Sequence, residues 1–414
     1  MLMAECILAK TLLIIGGGEE QIPAYQAAKA KGLNIVGTDM NLNAPGLELA
    51  DYKLQASTRD PIGTLQRVRE LTKDIQIDGV MTIANDVPLT VATVANFLQS
   101  PSIGINAAKN ASDKHLMKKC FQTDGVACPN FYIIHSLQDL QRVMNDSRAS
   151  MKFVLKPIDG RGARGVLLIN KEENLDWAYT EAMSHGSKEY LILEEFIEGK
   201  QFSTESFLLD GKCFTAGIAE RNYKNIDKFA PYIIEDGGDI NYSLDANILD
   251  RIDDLILRGA KSMGIFNGVI KGDIVVDHLG NPQIIELAAR LSGGWFASHQ
   301  IPEATGIDLI SATISFSLNE KIDEKLLLPT IKHATSIRYW YPDPGKITKI
   351  DGIKCLELSP GLIKYGFFKN QGEFQDEIKM HSDRFGFVIV KAANAKECSK
   401  RVKQALSCIK IEVS

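Results

Sequence analysis

Two carboxylates and an arginine lie in one predicted hairpin, in the stretch FNGVIKGDIVVDHLGNPQIIELAARLSGG. Apolar β-branched runs flank a Gly-Asn-Pro turn, which predicts two antiparallel strands. Because strand side chains alternate between faces, Glu286, Ala288 and Arg290 share one face of the second strand. The turn sets a register in which Asp273 lies roughly opposite Glu286.

This arrangement of charges favours a metal and a phosphate. Opposed carboxylates such as Asp273 and Glu286 repel each other unless a cation lies between them, which predicts a hard divalent ion. Arg290 beside them would suit a phosphate that the ion also contacts. The alternative is a hairpin whose charges simply face water.

A glycine-rich loop forms a second candidate site, in the stretch KFVLKPIDGRGARGVLLI. A predicted strand ends at Lys156, and the loop after it contains Gly160, Arg161 and Gly162. Successive glycines let the backbone approach an anion closely, and their N–H groups form a phosphate nest to which an arginine adds charged donors. The Walker pattern is absent. The alternative is a mobile hairpin loop with solubilising arginines.

Two further segments carry groups that a nucleotide could use. Lys114 lies in the first turn of a helix capped by Ser112 or Asp113, where the helix dipole disfavours a cation, so it is either functional or a solvated surface lysine. The stretch LILEEFIEG predicts a strand through Glu194 and Glu195 that ends in an irregular linker. Main-chain groups exposed there could bind the edge of a flat heterocycle.

Residues 11–106 alternate strand-like and helix-like stretches, which predicts a parallel sheet with right-handed crossovers. Glycines at 16–18 and Asp39 hint at dinucleotide binding, but Gln21 occupies the third glycine position of that fingerprint. Asn85 ends a strand at the carboxyl edge, where such sheets place ligands, and is either a substrate contact or a turn former.

The bulk composition excludes several classes of protein. The 414 residues divide into two to four domains, and a net charge of −5 without basic runs argues against nucleic-acid or membrane-surface binding. Seven scattered cysteines fit a reducing cytoplasm better than a disulfide framework, and the dispersed histidines argue against zinc. The apolar N-terminus lacks the features of a signal peptide, and no segment is long enough to span a bilayer. We therefore expect a cytoplasmic protein.

Taken together, the segments SDKHLMK, VLKPIDGRGARGV, LEEFIEG and GDIVVDHLGNPQIIELAARLSGG resemble the ATP-grasp superfamily of carboxylate–amine (or thiol) ligases. The resemblance is closest to the branch containing carbamoyl-phosphate synthase, the purine-pathway synthetases, biotin carboxylase and the L-amino-acid ligases. It implies a multidomain α/β and α+β fold. Its parts would be a Rossmann-like parallel sheet (1–108), two nucleotide-clasping subdomains (109–190 and 191–328) and a small C-terminal α+β domain (329–414).

The resemblance also implies roles for individual residues. ATP would contact the residues Lys114, Lys156, Gly160, Arg161, Gly162, Glu194, Glu195, Ile197 and Gln201. Within this set, Lys156 would bind the α- and β-phosphates, and the Glu194 carbonyl and Ile197 amide would bind the adenine edge. Asp273 and Glu286 would bind Mg²⁺ (or Mn²⁺), and Arg290 would contact the transferred phosphate.

The chain departs from the family pattern at several positions. Gln201 replaces the usual ribose-binding glutamate, Ala288 replaces an asparagine that contacts metal in many members, and Asp273 is shorter than the usual glutamate. Gly294 occupies the position of a carboxylate base in biotin carboxylase, which counts against biotin chemistry. His299 and Arg338 could then bind a substrate carboxylate, although a histidine at 299 is also consistent with packing or capping.

The predicted activity is therefore an ATP-dependent ligase that activates a small-molecule carboxylate as an acyl phosphate, releases ADP and joins the acyl group to an amine. Many relatives dimerise, so a homodimer is an open expectation, whereas nucleic acid and membranes are not expected partners. Two alternatives stay open: a nucleotide-binding homologue with little or no turnover, motivated by the departures, and an NAD-dependent oxidoreductase, motivated by the glycines at 16–18.

Overall fold

The computed structural model describes residues 9–241 and 244–414. Residues 1–8, on which the rejection of a signal peptide partly rests, lie outside the described residues, as do residues 242–243. Within the described ranges, no helix combines the length and apolar composition needed to cross a membrane.

The N-terminal domain is built on a four-stranded parallel sheet of order β3-β2-β1-β4, so the predicted parallel sheet is confirmed. Its strands and helices are β1 (Thr11–Ile15), β2 (Asn34–Asp39), β3 (Tyr52–Gln55), β4 (Gly79–Met81), α1 (Ile22–Ala30), α2 (Pro61–Leu71), α3 (Pro88–Leu98) and α4 (Ile105–Ser112), with 3-10 turns at Glu19–Gln21 and Pro45–Leu49. Leu12 and Leu13 are fully buried in different hydrophobic clusters, because helices cover both faces of the sheet.

The next domain is a four-stranded antiparallel sheet of order β5-β8-β6-β7. Its elements are α5 (Lys114–Thr123), β5 (Phe131–Ile134), α6 (Leu137–Asp146), β6 (Phe153–Pro157), β7 (Leu167–Ile169), α7 (Leu175–Ser184) and β8 (Leu191–Glu195). Asp113 caps α5 by accepting hydrogen bonds from the N–H groups of His115 and Leu116. The sheet includes β8, which lies beyond the division predicted at 190/191.

The remaining chain forms an eight-stranded sheet of order β13-β12-β9-β10-β11-β14-β18-β16 and a three-stranded sheet of order β17-β15-β19. The elements up to residue 328 are β9 (Gly199–Leu209), β10 (Lys212–Arg221), α8 (Ile226–Phe229), β11 (Gly238–Ile240), α9 (Ala246–Ser262), β12 (Gly268–Asp277), β13 (Pro282–Ala288), α10 (Ile301–Thr305) and α11 (Leu309–Ser317), with a π-helical turn at Phe296–Gln300 and a 3-10 turn at Glu324–Leu327. Those that follow are β14 (Ala334–Trp340), β15 (Gly345–Asp351), α12 (Ile353–Glu357), β16 (Leu362–Phe367), β17 (Phe374–Gln375), β18 (Gly386–Ala392), α13 (Ala395–Cys408) and β19 (Lys410–Val413), with a 3-10 turn at His381–Asp383.

The predicted hairpin is β12 and β13, and its register pairs Asp273 with Glu286 as expected. A β-bulge follows Asp273 and shifts the register of the remaining strand. The polar stretch between β10 and α9 contains α8 and β11. Strand β11 is short, but it joins β10 to β14 and so makes the large sheet continuous into the C-terminal domain.

Cys355 and Cys408 form a disulfide with an S–S distance of 2.15 Å, which ties α12 to the end of α13. The expectation that the seven scattered cysteines fit a reducing cytoplasm better than a disulfide framework is contradicted at this pair. The two residues are 53 positions apart, and only the packing of the C-terminal domain brings their Cα atoms to 5.6 Å, so sequence spacing carries no signal for them.

Candidate active site

A cleft of about 910 Å³ lies where the N-terminal sheet, the two central domains and the C-terminal domain meet. Most of the residues proposed from sequence line this cleft: Asn85, Lys114, Lys156, Gly160, Arg161, Gly162, Glu194, Glu195, Ile197, Gln201, Asp273, Glu286 and Arg290. The lysine-and-glycine group and the acidic hairpin therefore face the same space. Lys114 joins them directly, since its Nζ lies 3.3 Å from Glu286 Oε1 and donates to the carbonyl of Gly160 at 3.0 Å.

The base of the nucleotide side of the cleft is a buried charge cluster that sequence reasoning found only in part. Glu194 is 2% exposed, and Lys156 Nζ lies 2.9 Å from its Oε1. Lys118, which was not proposed from sequence, lies 3.6 Å from Glu194 Oε2 and donates to the Ile284 carbonyl at 3.1 Å. Burial would raise the pKa of the Glu194 carboxyl, but Lys118 and Lys156 together hold it below its ordinary value.

Several nucleotide contacts implied by the resemblance stay predictions. Glu194 lies inside the sheet, at positions opposite Phe131 on β5 and Val154 on β6, and the visible role of its side chain is to hold the lysines. Glu195 and Ile197 line the cleft where β8 ends, as the heterocycle-binding interpretation requires.

The carboxylates proposed as metal ligands differ in their availability. Asp273 is already neutralised, because Arg221 Nη2 lies 2.7 Å from its Oδ1 and the ammonium of Lys271 contacts Oδ2. Among the described residues, Glu286 forms one ion pair, with Lys114. Mg²⁺ commonly uses one or two carboxylates together with phosphate oxygens and water. The donor set thus fits an ion held mainly by Glu286 and a nucleotide, whereas Asp273 would first have to exchange its cations.

Arg221 and Lys271 were missed, although strand alternation gives a signal for one of them. Lys271 and Asp273 are two residues apart on β12 and therefore share a face. Arg221 ends β10, whereas its partner Asp273 lies on β12, a strand much further along the chain. Nothing in the local sequence around Arg221 predicts that partner.

Arg290 is held by the N-terminal domain. Its Nε lies 2.5 Å from Asp86 Oδ1, and the main chain just beyond it, at Leu291, forms a parallel bridge with Ile83. Burial would raise the pKa of Asp86, but the Arg290 guanidinium lowers it to about 2. The hairpin arginine is thus fixed at the carboxyl edge of the N-terminal sheet, where Asn85 also lies.

The loop after Arg290 is held by two carboxylates. Both oxygens of Glu205, a fully buried residue of β9, accept from the N–H of Ser292 at 3.1 and 3.2 Å. Glu20 Oε2 accepts from the N–H of Gly294 at 2.9 Å. Neither carboxylate was proposed from sequence, because each is brought to the loop by tertiary packing alone.

The structure does not bring His299 and Arg338 into the cleft. His299 lies in the π-helical turn with its Nδ1 2.9 Å from the Ser298 hydroxyl, which agrees with the packing alternative. Arg338 forms an ion pair with Asp239 at 2.6 Å and donates to its neighbouring carbonyl, so its charge is used within the large sheet. The C-terminal domain instead contributes other groups to the cleft wall, including His381 and Arg384.

The glycine turn of the N-terminal domain is not arranged to bind a dinucleotide. The N–H of Gly17 donates to Asp39 Oδ2 at 3.0 Å, so the carboxylate that a ribose would need is bound by the turn itself. A Cβ atom built on Gly17 would lie 2.9 Å from Leu47, so the turn is packed against protein. This geometry weakens the NAD alternative.

The antiparallel domain and the large sheet enclose a cleft lined by lysines, and the sequence that forms them matches a known family of domains. Residues 111–294 match the ATP-grasp domain family, so the predicted resemblance to this superfamily is confirmed for that part of the chain. More particularly, residues 338–414 match the family described as L-amino acid ligase C-terminal domain 2. The chain thus combines an ATP-grasp domain with a C-terminal domain of the L-amino acid ligase type.

Solved structures of low sequence identity share the fold of this chain, and curated proteins match part of its sequence. A crystal structure of L-amino acid ligase from Bacillus licheniformis has a TM-score of 0.82 at 20% identity, covering 98% of this chain and 99% of that one. Phosphoribosylglycinamide synthetase from Anaerococcus prevotii has a TM-score of 0.74 at 21% identity, covering 98% and 100%. A formate-dependent phosphoribosylglycinamide formyltransferase from Prochlorococcus marinus is 23% identical over 199 residues, 46% of this chain and 48% of the relative. The match therefore spans about half the length of that curated relative.

Proposed function

We propose that the protein is an ATP-dependent ligase that joins a small-molecule carboxylate to an amine and releases ADP and phosphate. The observation that carries the proposal is the shared cleft. A lysine and glycine side suited to phosphates faces an acidic and arginine side suited to a metal and a transferred phosphate, and Lys114 bridges the two at 3.3 Å from Glu286.

The nucleotide would lie between the two sides. Lys114, Lys156 and the glycine loop would bind its phosphates through charge-assisted hydrogen bonds. Mg²⁺ (or Mn²⁺), when bound at Glu286 and, after exchange of its cations, at Asp273, would neutralise charge on the phosphates. His381 of the C-terminal domain donates its main-chain N–H to the Gly162 carbonyl at 3.1 Å, which supports a glycine loop that closes against that domain.

Arg290 would stabilise the reacting phosphate. In the first step a carboxylate oxygen of the substrate attacks the γ-phosphorus and ADP leaves. In the second step the amine nitrogen attacks the acyl carbon, phosphate leaves and the nitrogen gives up a proton. Charge on the phosphate oxygens develops in both steps, and a fixed guanidinium is suited to stabilise it. Phosphate binding would replace the Asp86 carboxylate that Arg290 holds at 2.5 Å.

The expected binding partners are the two substrates, a small-molecule carboxylate and a small-molecule amine. A homodimer and a cytoplasmic location are parts of the same proposal. Light scattering on the purified chain tests the first, and fractionation of cells expressing it tests the second.

A screen of ADP release tests the function. Acids are tested with ATP, Mg²⁺ and hydroxylamine, which traps an acyl phosphate as a hydroxamate, and then with amines in place of hydroxylamine. Arg290→Ala should lower turnover by roughly 10²–10³-fold. Arg258→Ala is the matched control, because Arg258 pairs with Asp254 on the exposed face of α9. Unchanged turnover in Arg290→Ala would reject the role of Arg290, and absence of ADP and hydroxamate across the panel would reject the ligase.

One observation favours a second candidate, a nucleotide-binding protein without turnover. Asp273 is neutralised by Arg221 and Lys271, and Ala288 offers no side-chain oxygen to a metal. Calorimetry with a non-hydrolysable ATP analogue separates the two functions. Binding of the analogue by a protein that releases no ADP with any acid would support the second candidate.

A further inference from the structure

Glu20 lines the cleft at the end where Arg290 lies, on a turn that is fixed by a buried hydrogen bond. It follows β1 in the 3-10 turn at Glu19–Gln21, and the buried side chain of Gln21 fixes that turn by donating to the Ile83 carbonyl at 2.9 Å. Glu20 Oε2 in turn accepts from the N–H of Gly294 at 2.9 Å. Gly294 is four residues beyond Arg290, so the carboxylate is anchored next to the proposed site of acyl transfer.

Glu20 is a half-buried carboxylate at the Arg290 end of the cleft that lacks a cation within the described ranges. Four other carboxylates there form ion pairs within 4.0 Å, namely Asp86 with Arg290, Asp273 with Arg221 and Lys271, Glu286 with Lys114, and Glu235 with Arg221 and Arg384. Glu205 has no ion pair among the described residues either, but it is fully buried and both of its oxygens accept from the Ser292 N–H. Among the described residues, none places a lysine, arginine or histidine nitrogen within that distance of Glu20. A half-buried carboxylate of this kind is costly until a positive or hydrogen-bonding group joins it.

We propose that Glu20 binds the amino group of the amine substrate and holds it beside the acyl carbon. The inference rests on the proposed ligase function. The Gly294 N–H donates to one oxygen of Glu20, which leaves the other oxygen for an N–H donor of the substrate. The chain segment that contains Gly294 also contains Arg290, which would hold the acyl phosphate. The amine class follows from the charge: the site offers a carboxylate with no cation, which accepts from an ammonium or amine and repels a second acid.

The test compares two products of one enzyme. Hydroxylamine at high concentration traps the acyl phosphate without needing a binding site for a larger amine, and amide formation is measured with the twenty standard L-amino acids as amines. Glu20→Gln keeps an oxygen for the Gly294 N–H and removes the charge. We expect kcat/KM for the amine to fall roughly 10- to 100-fold, with hydroxamate formation unchanged within about twofold.

Glu48→Gln is the control, since Glu48 is exposed on the 3-10 turn at Pro45–Leu49 of the same domain, away from the residues that line the cleft. An equal fall of hydroxamate and amide in Glu20→Gln would assign the residue to the loop or the acid substrate and overturn the proposal. Amide formation unchanged in Glu20→Gln would also overturn it. A wild-type protein that forms neither product would instead reject the proposed function, and the role of Glu20 with it. Thermal unfolding of each variant separates these outcomes from misfolding.

Discussion

Glu205 provides the sharpest test of the electrostatics around the catalytic loop. It is 0% exposed within the large sheet, and both of its oxygens accept a hydrogen bond from the Ser292 N–H. Burial raises the pKa of its carboxyl from 4.5 to about 7, although hydrogen bonds from Ser292 and the charge of Arg290 oppose the shift. The folded protein thus holds a proton on Glu205 over a range in which the unfolded chain has released it.

The sign and size of the effect follow from this difference. Between the unfolded pKa of 4.5 and the folded value of about 7, the native state binds more protons, so the free energy of unfolding falls as the pH rises. The shift corresponds to about 3 kcal/mol in total, since each pKa unit is worth about 1.4 kcal/mol. Glu205→Gln is neutral at every pH and still accepts from Ser292, so it should lack this dependence.

Thermal unfolding of wild type and Glu205→Gln from pH 4 to 8 at constant ionic strength measures the effect. The midpoint of the variant relative to wild type should rise by roughly 6–12 °C across the range, if a unit of 150–250 residues unfolds together. Glu70→Gln, at an exposed position on α2, is the control and should follow wild type. Parallel pH profiles for wild type and Glu205→Gln would mean that Glu205 is ionised throughout, and the reasoning from burial would be refuted.

Two other perturbations follow from the same structure. Lys118→Met should lower the free energy of unfolding by about 3–5 kcal/mol, measured by denaturant titration. The variant leaves Glu194 with one buried cation and removes the ammonium that donates to the Ile284 carbonyl. A loss below about 1 kcal/mol would contradict this expectation. Cys355→Ser should cost roughly 4 kcal/mol at most in the C-terminal domain, from a cross-link spanning 53 residues. Calorimetry of wild type and Cys355→Ser with and without reductant measures this loss of stability. If reductant lowers the unfolding temperature of Cys355→Ser as well, the disulfide is not the cause of the effect.

The parts of the site that sequence predicts are those fixed by local periodicity. Strand alternation alone places Glu286 and Arg290 on one face and Asp273 across from them, and the observed register agrees. The glycine loop after Lys156 can also be predicted from local sequence, because glycines placed close together after a strand allow the positive φ angles that the loop adopts. Helix spacing also held a signal for Lys118, which is four residues after Lys114 and shares its face of α5.

The parts that sequence misses depend on contacts between domains. Asp86 and Glu20 lie on connections that follow strands of the N-terminal sheet. Only the docking of that domain against the segment after β13 brings them to Arg290 and its loop. Conversely, Arg338 looked available from sequence, yet β11 supplies Asp239 as its partner within the sheet. Periodicity determines which face a side chain occupies, whereas its partner is set by how separate elements pack.

The pairing of charges in the cleft has a consequence for how ligands bind there. Lys114 pairs with Glu286, and Arg290 pairs with Asp86, so an anion that takes either cation leaves a carboxylate without its partner. The cost is greatest where the released group is most buried, as an uncompensated charge in a low dielectric is strongly unfavourable. A phosphate at Lys114 therefore favours a cation at Glu286, because the cation restores the partner that the phosphate removed. Nucleotide and divalent ion should bind this cleft cooperatively for that reason, even though Asp273 is held by cations of the protein itself.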